Sequence, residues 1–428
     1  MDIKAFRGWR YRSRDGDVSS VLAPPYDILT KPDKDALLAA DERNIVGVDL
    51  PHLPLTVVGP DSAYEAAAAR LKGWIDTGVL CRDERPCLYA HEQVFTWGGR
   101  RFRRRAMIAA VRLAEFGEGV WPHEKIFAGT KADRMKLTEK TGMQVSPIFG
   151  FYEGAESAAD VLFEAAGQTP AAYGRLRGVD ERLWAVSNGD VIESVVQALA
   201  GEPLFIADGH HRYTTALEYR RRLGEIDESH PANYVMFLLA AMDDPGLIVL
   251  PAHRIITGLK DFDLERFVAS AGKVVEFQRV SLTAESVAGA GGFLRPFGRH
   301  AMAFVAADRR GGAPAAYVGR LVDDSVMQRA APEESDTWRG LDAAILHRLV
   351  IDHYLDAYKT HQMAIEYVAD GSAVLEAVIS GRADLAVFLQ PTPLTAVKEI
   401  ALSGATMPHK STYFYPKPST GLVLYPLG

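Results

Sequence analysis

Leu204-Phe205-Ile206-Ala207-Asp208-Gly209-His210-His211-Arg212 is the stretch on which the reading of this chain turns. The apolar run 204–207 makes a short buried strand, and Asp208-Gly209 turns the chain. From His211 to Leu223 the apolar residues Tyr213, Ala216, Leu217 and Tyr219 mark a helix. A strand that ends in Asp-Gly and passes at once into a helix is a site-building junction. Glycine permits the tight turn and a close ligand approach. The helix N-terminus adds unpaired N–H groups and the positive end of its dipole, which together suit phosphate. Asp208 can hold a Mg²⁺ ion or accept a proton, His210 or His211 can donate or relay one, and Arg212 can clamp an anion. The plainer alternative has Asp208 capping the helix, Arg212 paired with an acidic neighbour and one histidine hydrogen-bonded in the core. So dense a polar run favours the functional reading. Adjacent histidines lack the three- or four-residue spacing of metal ligands on a helix, which disfavours a dedicated zinc site.

Working outward, Val120 to Tyr152 carries a second polar group: Trp121-Pro122-His123-Glu124-Lys125, followed by Lys131, Asp133, Arg134 and Lys136. A carboxylate among cations near a phosphate site suits a general base that deprotonates a hydroxyl; the competing reading is a loop of solvated charges. Thr130 is expected to cap a helix toward Lys140, with Lys131 and Arg134 on adjacent turns. Ser146 to Tyr152 reads as a strand. In Ala23-Pro24-Pro25-Tyr26-Asp27 the prolines force an extended or turning backbone that presents Tyr26 and Asp27 to a pocket or to packing. Met407 to Pro418 combines proline rigidity with Lys410, Ser411 and Thr412, which suits a pocket-covering segment.

The remaining pattern alternates. A helix is expected over 61–77, and strands over 86–95 and 101–113 around the hairpin signal Trp97-Gly98-Gly99. The arginine run Arg100-Arg101-Phe102-Arg103-Arg104-Arg105 then reads as charge on an exposed edge strand. A buried strand over 234–242 is expected to turn through Asp243-Asp244-Pro245-Gly246 into 247–250. Beyond it come a helix at 263–271, a strand at 274–280, a hairpin through 308–312, helices at 341–358 and 372–380, and a strand at 385–389. Such alternation defines an α/β or mixed α+β class. At 428 residues the chain exceeds one core, so two or three domains are expected, divided as 1–85, 86–259 and 260–428.

The 48% apolar and 24% charged content is that of an ordinary globular protein, and a net charge of −7 argues against a nucleic-acid partner. Cys81 and Cys87, too few for a disulfide framework and not in metal-ligand spacing, fit a reducing compartment. Met1 to Arg7 lacks the apolar core of a signal peptide, and Tyr234 to Met242 is too short to span a bilayer. The expectation is a cytoplasmic protein with no membrane partner; nothing in the pattern fixes an oligomeric state.

The ordered motifs Ala-Pro-Pro-Tyr-Asp at 23–27, Pro-His-Glu-Lys at 122–125, Lys-Ala-Asp-Arg at 131–134, Ser-Pro-Ile-Phe at 146–149, Ile-Ala-Asp-Gly-His-His-Arg-Tyr at 206–213 and Lys-Ser-Thr-Tyr-Phe-Tyr-Pro-Lys-Pro at 410–418 resemble domain of unknown function 1015. The family name brings no activity, and His409 stands where the resemblance leads one to expect glutamine. The Asp-Gly-His-His-Arg turn also resembles the nucleotide-handling motif of the ParB/sulfiredoxin-like superfamily, which includes free-serine kinases. That second resemblance implies a ParB/sulfiredoxin-like central region with flanking α/β segments. Carried over residue by residue, it sets Asp208, His211 and Arg212 toward Mg²⁺ and the phosphates of a nucleoside di- or triphosphate, with Glu124 as the base. With no Walker-type loop present, the leading expectation is a Mg-assisted phosphotransferase on a small hydroxylated metabolite such as serine. Its residues would be Glu124, Asp208, His210 and His211 for catalysis, with Asp208 also the metal ligand. Gly209, Arg212, Lys131 and Arg134 would bind phosphate, and Tyr26, Asp27, His123 and Lys410 would line the substrate pocket. The alternatives are a phosphoester or nucleotide hydrolase and a non-enzymatic nucleotide-binding regulator.

Overall fold

Strands buried on both faces read as continuous apolar runs, because helices or a second sheet cover each side. Tyr234–Ala241 is buried along its whole length. Met236, Leu238 and Ala240 enter one core cluster while Val235, Phe237 and Leu239 enter another on the opposite face. The computed structural model describes residues 1–55, 57–125, 128–154, 157–289, 292–307, 314–323 and 325–428.

This strand is central to a mixed nine-stranded sheet. On one side it pairs antiparallel with Arg100–Arg112, which pairs with Leu88–Trp97, then Val179–Val186 and Ala172–Leu176. On the other it runs parallel to Ile148–Tyr152, which pairs antiparallel with Leu204–Asp208, which in turn runs parallel to the edge strand Val120–Trp121. Ile3–Lys4 also joins this sheet, opposite Val111 and Ala110. A six-stranded antiparallel sheet follows, from His253–Thr257 to Leu385–Phe388. One face of each sheet contributes to a shared core, with Phe149, Phe205 and Met236 from the first and Ile256, Phe304 and Val387 from the second. The mixed α/β class expected from the alternation is the class observed.

Element by element, the helices at Asp61–Asp76, His210–Arg222, Leu264–Ala271 and Gly371–Ile379 lie where the periodicity puts them. Gly98 and Gly99, at φ +54° and +74°, make the two-residue hairpin turn that needs left-handed backbone. Three expectations change. Arg100–Arg112 is an inner strand, and its Arg104 is buried at 1% exposure rather than displayed. Ile248–Leu250 does not fold back on Tyr234–Ala241; it pairs antiparallel with Tyr413–Tyr415 near the end of the chain. The single helix expected over 341–358 is instead a short α-turn at Asp342–Ala344, a π-helix at Ile345–Tyr354 and a 3₁₀ turn at Asp356–Tyr358. Strands Ala301–Ala306 and Ala315–Leu321 pair as a hairpin should, while its turn at 308–312 lies outside the described residues. Among the described residues no helix is long and apolar enough to cross a membrane.

The tail positions the site. Met407 N–H bonds the His123 carbonyl (2.8 Å), Thr420 and Ala23 exchange backbone bonds (2.8 and 3.1 Å), and Leu424 bonds Trp9. Residues 407–424 thus run from the second sheet across the end of the strand Leu204–Asp208 and back to the first residues of the chain.

Candidate active site

Two chain segments far apart in sequence meet because two strands run parallel. Val120 lies opposite Leu204 and Trp121 opposite Phe205, so both strands leave the sheet at the same end. His123 and Glu124 therefore emerge beside Asp208 and His210. Gly209 follows at φ +96°, a backbone open to glycine at little cost, and serves as N-cap of His210–Arg222. With no side chain to cap the first turn, its N–H groups are left to face a ligand or water.

Glu124, Asp208, Gly209 and His210 line a cavity of about 260 Å³ together with Tyr26, Asp27, Lys125, His409, Lys410, Thr412 and Lys417. Its charges are three carboxylates, Asp27, Glu124 and Asp208, against four cations, Lys125, Arg212, Lys410 and Lys417. Asp208 lies between two of those cations: Arg212 Nη2 donates to Oδ2 at 2.7 Å and Lys417 Nζ to Oδ1. Arg212 also donates to the Pro147 carbonyl, which fixes its fork beneath the turn. Partial desolvation opposes ionisation of Asp27, but Lys417, Arg212 and Lys410 outweigh it and hold the carboxyl below its usual range.

The second group centres on His210. Its Nε2 accepts the backbone N–H of His123 at 3.3 Å, which places the ring proton on Nδ1, 3.8 Å from Glu124 Oε2. Burial, with His123 against its edge, pushes His210 down to about 3, so the ring is neutral at neutral pH. His123 is itself buried, is pushed down by that burial, and bonds Thr412 Oγ1 at 3.1 Å. Desolvation opposes the charge on Glu124, yet its neighbours, His210 through the Nδ1–H that faces it, then His123, Lys410 and Lys417, bring the carboxyl below the ordinary value. About 30% of its side chain stays exposed. His211 lines the same cavity and is pushed down chiefly by burial.

Of the residues singled out in the sequence, Tyr26, Asp27, Glu124, Asp208, Gly209, His210, His211, Arg212 and Lys410 line this cavity, and His123 packs directly behind it. Lys131 and Arg134, expected at phosphate, do not line it. Lys131 reaches Glu218 on the neighbouring helix at 3.9 Å. Every guanidinium nitrogen of the buried Arg134 is already bonded: Nε and Nη2 to Asp133 Oδ2 (2.8 and 2.5 Å), Nη1 to the Asp49 carbonyl and Oδ1 (2.6 and 3.2 Å). The same guanidinium stacks 4.0 Å from the Tyr26 ring, and burial raises Tyr26 to about 12. Arg134 is a strut under the cavity. Arg134→Met should therefore destabilise the fold by about 3 kcal/mol, because Asp133 and Asp49 keep buried charge with hydroxyl donors but no bonded cation. Urea unfolding would measure it, and anion affinity should not change.

Asp208, expected as a metal ligand, lies between two cations. Both of its oxygens are engaged by cations, and among the described residues no group of three or more His, Cys, Asp or Glu is placed to hold a metal ion. As placed, Asp208 is the counter-ion that spaces Arg212 and Lys417. Lys417 itself escaped the sequence reading as a site residue. The available signal was its setting in Pro416-Lys417-Pro418, where two prolines fix the backbone that presents it.

Fold and cavity together define a mixed α/β protein with a cation-rich, strand-to-helix cleft. The chain belongs to the family described as protein of unknown function DUF1015, whose model matches residues 3–344 and so ends before Lys410 and Lys417. No curated protein matches it. Among solved structures it is similar to a free serine kinase in complex with AMP (11% identity, 74% of this chain and 91% of that one, TM-score 0.34). It is also similar to SbnI with a C-terminal truncation from Staphylococcus aureus (10%, 75% and 87%, TM-score 0.37). A third likeness is to a conserved hypothetical protein from Pyrococcus furiosus (12%, 72% and 95%, TM-score 0.32). At these scores the function has to be argued from the chain's own side chains.

Proposed function

We propose that the cleft binds the phosphates of a nucleoside di- or triphosphate and that Glu124 acts as base toward the hydroxyl of a small metabolite. The protein is then a nucleotide-dependent phosphotransferase. One observation carries this reading: an ionised, part-exposed carboxylate, Glu124, shares a single cleft with Arg212, Lys410, Lys417 and an uncapped helix N-terminus. Cations and backbone N–H groups suit the phosphates, and the carboxylate suits the attacking oxygen. In the transfer, the hydroxyl oxygen bonds to the terminal phosphorus and the bond to the bridging oxygen breaks. The hydroxyl proton passes to Glu124, and the charge that builds on the leaving nucleotide, one phosphate shorter, meets Lys417 and Arg212. Asp27 suits an ammonium and Lys410 or Lys125 a carboxylate, so a hydroxy amino acid such as serine fits the set.

The test is calorimetric titration of ATP, ADP, CTP and GTP, each with Mg²⁺ as the ordinary counter-ion of the nucleotide. Incubation with γ-labelled nucleotide and a panel of hydroxylated amino acids and sugars follows. Label on an acceptor is the expected result. Free phosphate with no labelled acceptor replaces transfer with hydrolysis, and no binding of any nucleotide overturns the reading.

A further inference from the structure

Among the fully buried side chains the two largest are arginines, Arg104 and Arg254, at 1% and 0% exposure. One comes from each sheet, in strands Arg100–Arg112 and His253–Thr257. Among the described residues neither forms an ion pair. A buried guanidinium without a carboxylate is costly unless its N–H groups are met some other way; here backbone carbonyls and Gln93 meet the Nη groups, while each Nε has no protein partner. Arg104 Nη2 donates to the Pro416 carbonyl at 2.7 Å and to Gln93 Oε1, and Nη1 reaches the Tyr415 carbonyl at 3.5 Å. Arg254 Nη2 donates to the Lys410 carbonyl at 3.2 Å, and Nη1 to that of Ala252. Apart from that of Ala252, beside Arg254 itself, the carbonyls thus gripped sit at the two ends of one segment, 410–416. That segment ends against Lys417, which bonds Asp208, and begins with Lys410 in left-handed backbone at φ +54°.

We propose that Arg104 and Arg254 are positioning residues that clamp the two ends of the segment 410–417 and so set Lys417 and Lys410 in the cleft. Burial lowers both guanidinium groups to about 10, still charged at neutral pH, so the clamp persists across the physiological range. A leucine at either position would fill the space but leave the carbonyls of a proline-rich segment without donors. A salt-bridged arginine would have its donors directed at a carboxylate instead. Gln93 extends the first clamp: it accepts from Arg104, donates to Glu181 Oε1 at 2.8 Å, and reaches the Lys417 carbonyl at 3.4 Å. That the two lysines meet phosphate rests on the proposed function; that the arginines fix their placement does not.

Two measurements on the full chain separate these statements. The first is acylation of lysines by a small amine reagent, read by mass spectrometry, and it needs no ligand. Arg104→Met, or the milder Arg104→Gln if the former does not fold, should raise the modification rate of Lys417 about tenfold by local opening. Lys136 and Lys140 should keep their rates, and Arg254→Gln should leave Lys417 unchanged. In Arg254→Gln, amide hydrogen exchange should quicken over 409–412 and not over 415–417. An unchanged Lys417 rate, or a uniform rise at every lysine in both Arg104 variants, overturns the proposal. The second measurement is a double-mutant cycle on ATP affinity. Arg104→Gln and Lys417→Met should each raise Kd about tenfold, and the pair no more than Lys417→Met alone, since one acts through the other. Additive losses overturn the positioning role. If wild type binds no ATP, the proposed function falls, and the labelling result still decides the clamp.

Discussion

Glu124→Gln is expected to lower phosphoryl transfer about 10²–10⁴-fold while ATP affinity stays within about twofold of wild type. That loss corresponds to about 2.7–5.4 kcal/mol of transition-state stabilisation. The amide keeps the shape of the side chain but cannot take the hydroxyl proton. Affinity should survive because Glu124 touches neither Arg212 nor Lys417, the cations bonded to Asp208. The neutral His210 fixes its geometry. With Nε2 committed to the His123 N–H, Nδ1 faces the carboxylate. Glu124 is held below the ordinary carboxyl range and His210 down at about 3, so neither changes charge between pH 5 and 8. Neither Glu124 nor His210 should therefore add an inflection to the wild-type transfer rate between pH 5 and 8, and any seen there belongs to His211 or His409, which line the same cleft. Single-turnover rates for both proteins across that range check both statements. Transfer by Glu124→Gln within threefold of wild type removes the residue from the chemistry.

How much of this was legible in the sequence depends on the distance over which each feature is set. The junction 204–212 was legible because strand, glycine turn and helix are local, and the observed elements Leu204–Asp208 and His210–Arg222 lie there. The link from Glu124 to that junction came from a resemblance. Its physical cause, the parallel pairing of Val120–Trp121 with Leu204–Phe205, leaves no local signal. Lys131 and Arg134 show the limit of helical spacing. It fixed that they lie near each other on Ala128–Thr141, but not that this helix turns Arg134 toward Asp49 and Lys131 toward Glu218. The arginine run misled because five arginines in six positions read as one solvated strip. Strand alternation splits them, leaving Arg101 and Arg103 exposed and Arg104 beneath, against the tail. Contact between the tail and the cleft was legible from Lys410 and the prolines, whereas its grip by two buried arginines was not.

Lowering the pH from 7 to 5 is expected to cost the fold about 6 kcal/mol, about 2 each from His210, His253 and His347. Burial pushes His210 and His253 down to about 3 and His347 to about 4, against an unfolded value near 6.5. The unfolded chain therefore binds the protons that the native state refuses. Stability rises with pH wherever the unfolded state holds more protons, so this contribution is intact above about pH 6.5 and is lost as pH falls from there toward 3. The buried His123, also pushed down, adds loss of the same sign. The depressed carboxylates act later: Asp41, held at about 2 chiefly by its hydrogen bond from Arg43, gives up its contribution only below the usual carboxyl range. The window from pH 7 to 5 thus belongs to the histidines. Urea unfolding at pH 7, 6 and 5 measures the slope, and His253→Asn attributes it. The Asn amide oxygen can replace Nδ1 as acceptor for the Leu389 N–H, now 3.1 Å away, without titrating. Averaged from pH 7 to 5, its slope should be shallower by about 1 kcal/mol per pH unit. A wild-type stability unchanged between pH 7 and 5 would mean that all three rings protonate freely in the native state. His210 would then carry charge beside Glu124, its bond from His123 N–H would be lost, and the neutral frame that orients the proposed base would fail with it.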